Sequence, residues 1–87
     1  MDRQKIFNEI TRIVGSNPKS WSIGITHGPE QRRLELEKPR KWHQWDVATI
    51  EDAKMIEGFF VHEIGVTADN SDNLNFDKVI YAYLFQG

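Results

Sequence analysis

Four groups of residues have types and spacings that could do chemistry. Arg32 and Arg33 follow directly on the segment Trp21-Ser-Ile-Gly-Ile-Thr-His-Gly-Pro29. Trp21, Ile23 and Ile25 alternate with Ser22, Gly24 and Thr26, which predicts a strand with one buried face and one small, polar face. Gly24 on the polar face marks close approach by another group. Pro29 suits the first turn of a helix, because its missing N–H would have no partner there. One segment therefore carries a small-residue surface, a helix start and two guanidinium groups. Glu57 is the second feature. With residues placed ~100° apart, it shares a helical face with Ile50, Ala53, Ile56, Phe60, Val61 and Ile64. A carboxylate in an apolar stripe costs several kcal/mol unless it is paired or reaches water. It either meets an arginine or faces a cleft. Third, Tyr81 and Tyr83 share one face of the strand pattern Val79–Phe85. Fourth, the stretch 32–41 holds Arg32, Arg33, Lys38, Arg40 and Lys41 against Glu35 and Glu37, a local excess of three positive charges. With Trp42 and Trp45 beside it, this stretch could follow a phosphate backbone and stack a base. It reads equally as a charged helix exit above two core tryptophans. Lys38, Arg40 and Lys41, with His27 at the end of the first strand, are the candidate nucleic-acid contacts.

The elements that must position these groups follow from periodicity and breakers. Ile6, Phe7, Ile10, Ile13 and Val14 form a helical stripe over Asp2–Val14, capped by Asp2 and ended by Gly15-Ser16-Asn17-Pro18. The helix opened by Pro29 must stop by about Lys38, before Pro39. Arg40–Val47 reads as a second strand, with Trp42 and Trp45 on opposite faces. One of the two should be largely buried. His43 lies on this strand without the partner spacing of a zinc site. Thr49-Ile50-Glu51-Asp52 resembles a capping box and opens a helix that continues to Ile64, where Gly65 stops it. Val66–Lys78 reads as a solvated polar loop, and its Asp69–Asn73 run lacks the EF-hand pattern. The order is helix, strand, helix, strand, helix, loop, strand, an α+β layer with a small antiparallel sheet.

Composition sets the limits. Eighty-seven residues, 39% of them hydrophobic, suffice for one small domain over 1–87 and argue against disorder. The absence of cysteine excludes disulfides and thiolate metal sites. It allows an intracellular location, and the expectation is cytoplasmic. No apolar run approaches the ~20 residues of a membrane span, and the N-terminus has no signal-peptide core. A net charge of −2 gives no overall attraction to nucleic acid. Any such binding must come from a local patch.

Ser22-Ile23-Gly24 followed by a helix with arginines resembles the second half of the GIY-YIG nuclease signature. In that family a Tyr-Ile-Gly strand leads into a helix carrying a catalytic arginine eight residues after the glycine. The count lands on Arg32. If Gly28 is an insertion, it lands on Arg33, followed by the apolar Leu34. Ser22 replaces the motif's tyrosine. Ala53-Lys54-Met55-Ile56-Glu57-Gly58-Phe59-Phe60 is similar to the pattern around the family's metal-binding glutamate and again selects Glu57. The family's first strand, Gly-Ile-Tyr, has no counterpart at the N-terminus. Val79–Phe85 could fill its place as in a circular permutation, with Tyr81 or Tyr83 as the first tyrosine. This strand should then pair with Trp21–Thr26. The resemblance implies a three-stranded antiparallel sheet flanked by three helices. It also implies a metal-dependent endonuclease. Glu57 would hold Mg²⁺ or Mn²⁺, Arg32 or Arg33 would neutralise the phosphate, and a tyrosine would activate the nucleophile. The alternative is a catalytically inactive module of the same fold that binds nucleic acid or a protein partner. Ser22 and the acidic balance favour the alternative; Arg32, Glu57 and the paired tyrosines favour the nuclease.

Overall fold

A computed structural model describes residues 2–69 and 78–86. Its elements are α1 (Arg3–Val14), β1 (Ser22–Thr26), α2 (Pro29–Glu35), β2 (Lys41–Val47), α3 (Ile50–Phe59), β3 (Thr67–Ala68) and β4 (Ile80–Gln86). The strands form one sheet in the order β2-β4-β1-β3, so the fold is α+β. β4 lies antiparallel between β2 and β1, with Tyr83 opposite both Gly24 and Gln44. The expected pairing of the C-terminal strand with the first strand is present. The expectation of three antiparallel strands needs correction, because β3 adds a fourth, parallel to β1. β3 has only two residues, exposed and polar or small, so no alternation could reveal it. Backbone bonds create it: Thr67 N–H donates to Trp21 O and Asp69 N–H to Ile23 O.

The pleat sends Ile23, Ile25, Ala82, Leu84, Trp45 and Val47 to one face, where α1 and α3 cover them. α1 begins as its sequence requires, since the Asp2 carboxylate accepts from Gln4 N–H. It buries Ile6, Ile10 and Val14. Thr49 caps α3 by accepting from Asp52 N–H. α3 buries Ile50, Ala53 and Ile56. Its winding then widens to a π-turn over Phe60–Ile64, closed by Gly65 at φ +97°, a left-handed conformation that suits glycine. The wider turn changes the helical phase. Ile64 is 37% exposed rather than part of the apolar face. The buried stripe centres on Ile56 and Phe60, and Glu57 falls half-buried near its margin rather than at its middle. α2 is also shorter than the proline alone dictates. It ends at Glu35, and Glu37 and Lys38 both take positive φ before Pro39.

Trp42 and Trp45 do lie on opposite faces. Trp45 is buried and gives its indole N–H to Glu9. Trp42 is half-buried on the other face, its ring 5.1 Å from that of Tyr83 and tilted by only 9°. Trp21 is buried as well. Acrylamide should therefore quench one indole of three, and Trp42→Phe should remove the quenchable fraction. Three equally accessible tryptophans would contradict this packing.

Candidate functional site

The polar groups converge on the face of the sheet away from α1 and α3. β1 presents Ser22, Gly24 and Thr26 there, and β4 presents Tyr81, Tyr83 and Phe85. Tyr83 lies across Gly24. A Cβ built on Gly24 would stand 2.3 Å from the phenol oxygen and 2.4 Å from the ring carbon bearing it. The close approach expected at Gly24 is therefore made by a tyrosine. α2 covers this end of the face and buries Pro29.

Arg32 reaches down from α2 to the phenol. Its Nε donates to the Tyr83 hydroxyl at 3.2 Å, one terminal nitrogen donates to Asp69 Oδ2 at 2.9 Å, and the other to Glu35 Oε1 at 3.2 Å. The Tyr83 hydroxyl in turn donates to Asp69 Oδ2. The side chains of Arg32 and Asp69 are only 17% and 16% exposed, and Tyr83 is fully buried. Arg32, Asp69 and Tyr83 thus close a ring in which each side chain bonds to the other two. Charge-assisted bonds of this kind are the strong class. Burial, and then the bond to Asp69, push the Tyr83 phenol well above its ordinary value. The bond to Tyr83, with those to Asp69 and Glu35, holds the Arg32 guanidinium still more firmly protonated.

A stability test follows from the sign of the Tyr83 shift. The folded state holds this proton more tightly than the unfolded chain, so its stabilisation is complete below the ordinary tyrosine value of 10.0. It is lost as pH rises above that value. Urea midpoints should fall more steeply above about pH 10 in the wild type than in Tyr83→Phe. Equal slopes would contradict the assignment.

The other candidates are dispersed. Glu57 is on α3, whose apolar side packs on the opposite face of the sheet from Tyr83. Arg33 is exposed on α2, beside Glu30, Leu34 and Lys38. Tyr81 is half-buried, opposite Thr26 and Asp46. His27 brings Nδ1 to 3.0 Å from the Val79 carbonyl, so that nitrogen donates. Lys38, Arg40 and Lys41 are exposed, and the Lys41 ammonium sits 5.9 Å from the Trp21 ring centre. Arg32 and Tyr83 are thus brought together, while Glu57 stands on the other layer. By sequence Asp69 belongs to a polar loop, and only the register of β3 puts it in the ring. Most of that loop, including Asn70–Asn73, lies outside the described residues.

Among the described residues, no three of His, Cys, Asp and Glu gather as a metal site. The carboxylate nearest the Arg32–Tyr83 pair is Asp69, and both of them already bond its Oδ2. No family model, curated protein or solved structure matches the chain. No helix among the described residues is long and apolar enough to cross a membrane.

Proposed function

We propose that the chain is a catalytically inactive module of GIY-YIG-like fold that binds a protein partner. Support for the fold comes from the antiparallel pairing of β4 with β1, which sets Tyr83 against Gly24 and beside Arg32. That is where the permuted strand and its tyrosine are needed. The observation that carries the absence of catalysis is the closed Arg32–Asp69–Tyr83 ring. A catalytic arginine must spend its donors on the phosphate as charge develops. Arg32 spends them on Tyr83, Asp69 and Glu35. A nucleophile-activating phenol must reach solvent or substrate, and Tyr83 is fully buried.

A protein partner is favoured over nucleic acid for two reasons. The cations near Trp42 are interleaved with Glu30, Glu35 and Glu37, so the surface of α2 is of mixed sign. Trp42 stacks within an aromatic row with Tyr83 and Phe85 and gives its N–H to Gln44, so its ring belongs to the packing of this face. The test is incubation with single-stranded and duplex DNA in Mg²⁺ and in Mn²⁺. The expected result is no cleavage and no rise in the anisotropy of labelled DNA at physiological salt. Cleavage abolished by Arg32→Ala or Glu57→Gln would restore the nuclease reading. Salt-sensitive binding abolished by Trp42→Ala would restore the nucleic-acid module.

A further inference from the structure

We propose that the outer edge of β2 is where two copies of this chain pair, antiparallel, about a two-fold axis at Gln44; this rests on the protein-binding reading above. Of the sheet's two edges, β3 is only two residues long. Short edges of this kind are blunted against pairing. β2 has seven residues, and among those described it is bonded to β4 alone. Among the described residues nothing pairs with its outer side, whose alternate N–H and C=O groups can take a further strand.

The charges along this edge are what select a second copy as the occupant. A groove of about 350 Å³ runs between α1 and β2, with Glu9, Arg12, Trp42 and Gln44 in its lining. α1 runs antiparallel to β2. Arg3 bonds to Asp52, beyond the C-terminal end of β2, Glu9 accepts from Trp45, and Arg12 lies further along. Glu9 and Arg12 are thus ordered along the edge. A two-fold axis at Gln44 reverses that order in the second copy, so each Glu9 comes to the level of the other copy's Arg12. Gln44 meets itself on the axis, and an amide can both donate and accept there. A register slip of one residue would turn the apolar face outward, so the pleat and the charges favour the same pairing. The contact is isologous and closes at two copies.

Gln44 is exposed, and its place on the axis gives a symmetric test. Gln44→Lys sets two ammonium groups opposite each other, and Gln44→Glu sets two carboxylates opposite each other. Sedimentation velocity over a concentration series should show wild type forming a dimer and each variant remaining monomeric. Circular dichroism should be unchanged in both. An equimolar mixture of the two variants should recover the dimer, because each axis then carries one charge of each sign. A misfolded variant could not produce that recovery. Wild type that stays monomeric throughout, variants that dimerise as wild type does, or a mixture that stays monomeric would each overturn the proposal. None of these results would alter the outcome of the cleavage assay, so the two readings fail separately.

Discussion

Gly24→Ala is expected to destabilise the domain by about 2–3 kcal/mol, the upper part of the usual cost of overpacking. The new methyl group would meet the Tyr83 oxygen and ring carbons at 2.3–2.9 Å. Those atoms cannot swing aside cheaply. Trp42 is stacked at 5.1 Å from the ring, and the hydroxyl is held by Arg32 and Asp69. Moving the phenol therefore breaks the polar ring as well as the stack. Urea denaturation with an unchanged m-value would measure the loss directly. The double variant Gly24→Ala, Tyr83→Ala should lose the steric part of the cost. A near-neutral Gly24→Ala would contradict the placement of Tyr83 over β1.

Arg32→Ala is expected to cost about 2–3 kcal/mol. Breaking a fully buried pair costs roughly 3–5 kcal/mol, and the residual solvent contact of Arg32 and Asp69 reduces that figure. The loss comes mainly from what is left behind: an Asp69 carboxylate that keeps its burial but loses its cation. Arg32→Lys should recover little. A single ammonium cannot reproduce three donors set in a planar fork toward Tyr83, Asp69 and Glu35. Arg33→Ala, on the exposed side of the same helix, should change stability by less than about 0.5 kcal/mol. Thermal or urea unfolding of the three variants separates the two adjacent arginines, which their sequence positions leave ambiguous.

The sequence carries the local half of this structure. The alternation in Trp21–Thr26 tells which residues of β1 enter the core beneath α1 and α3 and places Gly24 under a neighbour, but Gly24 and Thr26 on the other face are buried too, because Tyr83 and α2 cover them. Breakers and caps locate α1 and the start of α3, because Asp2, Thr49 and Gly65 act through contacts within a few residues. Trp42 and Trp45 separate to opposite faces because a strand has period two. The parts that could not be read are set by long-range contacts. Asp69 looks like one more acid in a polar loop until Thr67–Ala68 pairs with β1 and carries it to Arg32, 37 residues away in sequence. The fully buried state of Tyr83 likewise depends on Trp42, Gly24 and Arg32 arriving from three other elements. The π-turn at Phe60–Ile64 removes Ile64 from the apolar face that uniform α-winding gives it, and this leaves Glu57 at that face's margin. Its separation from Arg32 is a matter of layers, since helix phase does not say which face of a sheet the helix will cover.

The central claim is that Arg32, Asp69 and Tyr83 hold the fold together as a unit rather than act on a substrate. A double-mutant cycle in urea, using Arg32→Ala, Asp69→Asn and the pair, measures this most directly. Groups in one hydrogen-bonded network show interaction energies of roughly 0.5–3 kcal/mol. The expected result is a coupling of at least about 1 kcal/mol, with each single variant clearly destabilised and the double variant little worse than Arg32→Ala. Additive, near-neutral effects at both positions would contradict the claim, and would return Arg32 and Tyr83 to the role of groups kept for chemistry.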